Sequence, residues 1–315
     1  VMRLRPREPY AGASNVGEAV AFLAASHGTR RVLVGSPRTD EARRLAGLLA
    51  KLGYVTDSAA TGRDLLRKAL QSPDYELILV EAIVSCPTVD ELVQSLRRDG
   101  RTAQVPVGVL AAAGDLDRAK HMVRRDAKSE AFPRPHDVAT LRLQIDDLVA
   151  RAGDRANAAE RRLHAAMALD WLIQLSAEPQ CLYDLSRDEG VLLAALAVPG
   201  LTAKACAALG NLGTPGAQQA LVDLASGKAS PLADRKAAVE GFRTAVQRRG
   251  LLLTIPKIQL QYDRYNQSAR EDRKTQAVLG MILDCIEAPA KLQKQLAGSR
   301  TEDETPQVAN AANSE

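Results

Sequence analysis

Arg31-Val32-Leu33-Val34-Gly35-Ser36 sets three aliphatic residues in a row and stops them with a glycine and a serine. An unbroken apolar run of this length reads as a strand buried on both faces, the habit of parallel sheets covered by helices on each side. The next stretch has the other period. Leu45, Leu48, Leu49 and Leu52 fall at i, i+3, i+4 and i+7, one face of an amphipathic helix, and Gly53 stops it.

The same two-part unit recurs along residues 30–150. Tyr54-Val55-Thr56 reads as a short strand, and Leu65, Leu66, Ala69 and Leu70 as a helix closed by Ser72-Pro73. Leu77-Ile78-Leu79-Val80 is again continuous and apolar, and Leu92, Val93 and Leu96 mark the next helix. Val105-Pro106-Val107-Gly108-Val109-Leu110 carries its proline near the start, where a missing N–H is tolerable. A more polar helix over 116–125, a brief strand at Ala131-Phe132 and a helix lined by Leu141, Ile145, Leu148 and Val149 complete the series. Five strand–helix units predict an α/β doubly wound parallel sheet. Right-handed crossovers favour the flavodoxin-like order 2-1-3-4-5, with any ligand outside the carboxyl ends of strands 1 and 3.

On these residues the stretch 30–150 resembles a response-regulator receiver domain. In that family strand 1 ends in two acidic residues, strand 3 in the phosphoaccepting Asp, strand 4 in Thr or Ser, and a Lys-Pro pair with a cis peptide comes after strand 5. Carried over by position, the acidic pair falls on Gly35 and Ser36, the phosphoacceptor on Glu81, the hydroxyl residue on Ala111, and the Lys-Pro on Arg134-Pro135. Only the positive charge and the proline survive. Mg²⁺ wants near-octahedral oxygen ligands, and only the carboxylate of Glu81 remains to supply one. A phosphoryl group there is poorly neutralised, and its transfer depends on that neutralisation. The expectation is a degenerate pocket of Gly35, Ser36, Glu81, Ala111, Arg134 and Pro135, with no catalytic residue, metal or cofactor. The resemblance also implies a partner-facing surface over roughly residues 116–150.

Two features of this pocket have rival accounts. Arg134 can engage Glu81 through a guanidinium fork and hold the domain in one conformation. The plainer account, preferred here, makes Glu81 a solvated strand-end acid and Arg134 a surface residue before a turn. Gly35-Ser36-Pro37-Arg38 sits after strand 1 at a helix start, where anions bind, but lacks the spacing of a phosphate-binding loop. Ser36, Thr39 or Asp40 as helix cap is the preferred account.

Beyond Ala152-Gly153-Asp154 the strand signal stops. Leu163, Met167, Trp171 and Leu175 step by four along a helix, with Trp171 as a core anchor. Leu201 to Leu209, a turn at Gly210-Asn211-Leu212-Gly213-Thr214-Pro215, and Ala217 to Ala225 resemble one HEAT-type repeat. Pro231 to Arg249 with Ile255 to Tyr265 form a looser second pair, and Leu279, Ile282, Leu283 and Ile286 line a closing helix. Helix pairs of this kind stack and expose a concave surface. The expected domains are residues 1–29 as the end of an upstream domain (the chain begins with Val1), 30–150 receiver-like, 155–288 an all-α HEAT/armadillo-like domain, and 289–315 a disordered tail.

Composition bounds the function. The chain of 315 residues is 46% hydrophobic and 25% charged, values of a globular protein, and its net charge of +4 does not point to nucleic acid. No apolar run approaches the ~20 residues of a membrane span. Cys86, Cys181, Cys206 and Cys285 form no CxxC pair, so buried, reduced thiols in a cytoplasmic protein are expected. His27, His121, His136 and His164 have no metal spacing, and no GxSxG occurs. Arg235, Lys236, Arg243, Arg248 and Arg249 read as a solvated helix face. The function expected is a non-catalytic signalling or scaffold protein that binds protein partners. The alternative is an atypical phosphorelay receiver that accepts phosphate, or binds a nucleotide, at the strand 1/strand 3 edge.

Overall fold

The computed structural model describes residues 8, 10–178, 183–269 and 273–302, with the side chains of the last helix described to residue 288 and that of Ser14 left out. The chain forms two compact units, residues 1–201 and 202–315.

The first unit runs α1 (Ala13–Ala24), β1 (Arg31–Gly35), α2 (Thr39–Lys51), β2 (Val55–Ala59), α3 (Gly62–Ala69), β3 (Tyr75–Glu81), α4 (Val89–Arg98), β4 (Val107–Ala111), α5 (Leu116–Val123), β5 (Ser129–Pro133), α6 (Val138–Ala152), α7 (Ala158–Ala177) and α8 (Glu189–Ala195). The five strands pair in parallel in the order β2-β1-β3-β4-β5, the flavodoxin-like winding. Successive side chains of a strand point to opposite faces, so each buried run feeds two cores. Leu33, Ile78 and Val80 pack with Leu65, Leu92 and Leu96 on one side. Val32, Val34, Leu77 and Leu79 pack with Leu49, Leu141 and Leu148 on the other. The edge strands differ as edges should: Val55 is 55% exposed on β2, and β5 ends at Pro133. Val149, expected in the core, faces water, while Leu141, Ile145 and Leu148 of the same helix are buried.

Side-chain caps fix several of these helix starts. Thr61 accepts from the Asp64 N–H at α3, Thr88 and Glu91 close a capping box at α4, and Asn157 and Glu160 do so at α7.

Helix α7 buries a different face from the one its large residues suggest. Leu163 and Met167 are 60% and 53% exposed and Trp171 is half-buried, while Ala165, Ala168, Leu169 and Leu172 are buried. The small residues let α7 lie close to α1, whose Val20, Ala21 and Ala24 are buried too. An ion-pair joint ties this helix pair to the sheet. Asp74, fully buried ahead of β3, accepts from Ser26 Oγ at 2.5 Å, the His27 N–H at 2.8 Å and Arg161 Nε at 3.2 Å. Arg161 also reaches the Thr29 carbonyl at 2.8 Å and Glu76 at 3.1 Å. Residues 13–29 and 158–177 thus belong with the sheet, whereas the sequence predicts an upstream domain and a separate helical domain there.

The second unit is α9 (Thr202–Leu212), α10 (Pro215–Ser226), α11 (Leu232–Arg249), α12 (Ile255–Ser268) and α13 (Arg273–Glu302). The sequence predicts a turn from Gly210, yet α9 runs on to Leu212. Gly210 is a crossing point rather than a stop: a Cβ there would lie 2.6 Å from the Gly241 carbonyl oxygen. One on Gly241 would lie 2.5 Å from the Cys206 carbonyl oxygen, so α9 and α11 meet backbone to backbone. The true turn is Gly213-Thr214, with Thr214 accepting from the Ala217 N–H and Pro215 in the first turn of α10.

Leu279, Ile282, Leu283 and Ile286 are all buried, as their spacing predicts. Arg235, expected on a solvated face, is buried instead and donates to the Ala225 carbonyl and Thr275 Oγ1. Helix α13 continues through 289–302, where the sequence predicts a disordered tail; residues 303–315 and Cys181 lie outside the described residues. Cys206 and Cys285 are buried and Cys86 is exposed. No helix among the described residues is long and apolar enough to cross a membrane.

Candidate functional site

Parallel register brings the ends of four strands to one edge. Gly35 pairs with Val80, Glu81 with Leu110, and Ala111 with Pro133. The Arg134 N–H continues the ladder to the Ala111 carbonyl at 3.1 Å, which sets the Arg134 side chain above the end of β3. The residues after β1 turn over the same edge. Arg38 takes the N-cap position of α2, where no side chain caps the helix, so the expected cap by Ser36, Thr39 or Asp40 is not formed.

Glu81 is the centre of this edge and is only 4% exposed. Its Oε1 accepts from Arg38 Nη2 at 2.5 Å and from Arg134 Nε at 2.8 Å. Its Oε2 accepts from Ser36 Oγ at 2.9 Å and from Arg38 Nε at 3.3 Å. Ser36 Oγ in turn accepts the Arg38 N–H at 3.1 Å, so the loop and the acid share one hydroxyl. Burial alone pushes the Glu81 carboxyl up, but the hydrogen bonds from Arg38, Ser36 and Arg134 outweigh it and hold the group below its ordinary value. Glu81 is therefore no solvated strand-end acid, and Arg134 is no idle surface residue. Arg134 engages the carboxylate through one nitrogen, and the two-pronged grip comes from Arg38. A buried acid at a strand end calls for a cation, and Arg38 stands two residues past Ser36 at the same edge; that was the available signal.

The other positions are closed rather than merely altered. A Cβ on Gly35 would fall 2.6 Å from Leu65 Cδ1 and 2.9 Å from Val80 Cγ2. Ala111 is buried and carries no hydroxyl. Arg44 donates to the Pro135 carbonyl at 2.9 Å and ties α2 to the loop after β5. The Arg134–Pro135 bond is trans; the cis peptide in this edge region is Cys86–Pro87. The cavity left between Ser36, Glu81, Leu110 and Arg134 is about 10 Å³, room for a single water.

The Mg²⁺ that receiver domains hold does not fit these residues. Gly35 brings no donor atom, Ser36 Oγ is committed to Glu81, and the one carboxylate is covered by two guanidiniums. Among the described residues no group of three His, Cys, Asp or Glu side chains is placed to hold a metal ion. His136 is exposed and makes no part of the Glu81 cluster.

No family model matches the chain, and no curated protein does. Among solved structures it is similar to a response regulator receiver domain protein from Clostridium thermocellum, at 17% identity over 38% of this chain and 94% of that one, with a TM-score of 0.35. It is likewise similar to the chemotaxis response regulator CheY4 of Vibrio cholerae, at 20% identity over 38% and 98% of the two chains, TM-score 0.35. A sensor protein from Polaromonas matches at 23% identity over 39% and 98%, TM-score 0.34.

Proposed function

We propose that this chain is a non-catalytic signalling or scaffold protein. Its receiver-like domain takes up no phosphoryl group and keeps one fixed conformation for binding protein partners in the cytoplasm. The observation that carries this reading is the buried Glu81 carboxylate, held by Ser36, Arg38 and Arg134. A nucleophile must offer a lone pair to the incoming phosphorus, and the oxygens of Glu81 are each engaged by two donors. The helices of the second unit supply a further binding surface of HEAT-like type, a reading supported by the helix–turn–helix of α9 and α10.

The experiment is incubation of the intact chain with acetyl phosphate and Mg²⁺, followed by intact-mass measurement. No phosphoryl adduct is expected, and beryllofluoride with Mg²⁺ is expected to leave Trp171 fluorescence unchanged. A stoichiometric acyl phosphate overturns the reading in favour of an atypical phosphorelay receiver. Protection from heat by ATP or GTP overturns it in favour of nucleotide binding at the β1/β3 edge.

A further inference from the structure

A second concave surface shares no residue with the Glu81 pocket. A groove of about 870 Å³ runs between α4 and the α5 segment, lined by five arginines against two aspartates. One arginine is spent internally: Arg97 Nε meets both oxygens of Asp126 at 3.0 and 2.9 Å, and its Nη1 reaches the Val105 carbonyl at 2.8 Å. Arg98, Arg118, Arg124 and Arg125 are exposed and make no hydrogen bond or ion pair among the described residues. Elsewhere on this unit Arg30, Arg31, Arg101 and Arg151 each face a carboxylate. Four unpaired guanidiniums around one depression therefore form a local excess of charge, and a cleft focuses such a field. Val93, 4% exposed, and the half-buried Met122 add an apolar part to the lining.

We propose that the α4–α5 groove docks an acidic peptide segment of a partner protein. Carboxylates of that segment meet Arg98, Arg118, Arg124 and Arg125, and an aliphatic side chain rests on Val93 and Met122. Guanidiniums grip carboxylates in a planar two-pronged geometry, which suits such a segment. Nucleic acid fits less well. No Phe, Tyr or Trp lines the groove for a base to stack on. Helices of 10 and 8 residues also give a groove only about 12–15 Å long, short for a run of phosphate contacts. The inference rests on the adaptor reading above, but the two fail separately, because groove variants leave Glu81 untouched and Glu81 variants leave the groove untouched.

The test uses the full chain and a fluorescent peptide of repeated Glu-Glu-Leu triplets, followed by anisotropy at near-physiological salt. The wild type is expected to bind it, and R118E/R125E to weaken binding about tenfold or more, since charge reversal turns attraction into repulsion. Arg118 lies in the first turn of α5, where a glutamate suits the helix dipole, and R118Q/R125Q serves as a milder pair with the same direction of change. The control R63E/R142E, at exposed arginines outside the groove, is expected to retain most of the affinity. Failure of the wild type to bind, or an equal loss in groove and control variants, overturns the proposal. Tighter binding of a single-stranded oligonucleotide than of the peptide overturns it in favour of nucleic acid.

Discussion

A carboxylate leaves water only where other groups replace its hydration, and at Glu81 two guanidiniums and a hydroxyl do so. Glu81→Gln removes the charge and keeps the shape. It is expected to cost roughly 1–3 kcal/mol in urea denaturation at pH 7, less than for a fully buried pair because Arg38 stays partly in water. The pH dependence has a definite sign. The folded-state pKa of Glu81 is depressed, so its stabilisation is complete above the unfolded value near ~4.3 and is lost as pH falls through the folded value. Acid titration of stability is therefore expected to be shallower in Glu81→Gln than in the wild type, and identical curves would contradict the network. Gly35 makes the complementary point. Gly35→Asp puts back a receiver-type acid where Leu65 and Val80 already fill the space, and is expected to lose about 2–4 kcal/mol without gaining Mg²⁺ affinity. A stable variant that binds Mg²⁺ would show that the pocket is still open to repair.

Among the elements, glycines decide where helices pass. Gly→Ala in a helix normally stabilises by about 0.5–1 kcal/mol, and Gly47→Ala on the exposed face of α2 is expected to do so. Gly241→Ala is expected to reverse the sign, losing about 2 kcal/mol or more in thermal melts, because the new methyl meets the α9 backbone. Equal gains at both positions would mean that α9 and α11 do not touch. This crossing was invisible in the sequence, where Gly210 next to Asn211 looks like a stop signal. The strands were legible because each buried run is continuous and its neighbours keep the 3.6 period. Helix α7 was not, because Leu163 and Met167 outweigh alanines in any count of apolar spacing while Ala165 and Ala168 allow the closer packing. Glu81 and Arg134 were legible as positions, but their pairing depends on Arg38, whose loop conformation no period encodes.

For the whole molecule, the division at residue 201 predicts that α1, α7 and the sheet unfold together. A fragment ending at Leu201 is expected to fold with a cooperative thermal transition. A fragment ending at Gly153 loses both Arg155, which donates to the Tyr75 and Glu76 carbonyls, and Arg161. It leaves the fully buried Asp74 without its cation and is expected to be less stable by about 3 kcal/mol or more. Equal stability of the two fragments would restore a boundary near residue 155. The central claim concerns the closed edge of the sheet, and amide hydrogen exchange on the wild type and Glu81→Gln tests it most directly. Loss of protection at the Ser36, Arg38 and Arg134 amides, with the β1 and β3 cores unchanged, is the expected result. Unchanged protection in both loops would contradict a pocket held shut by Glu81.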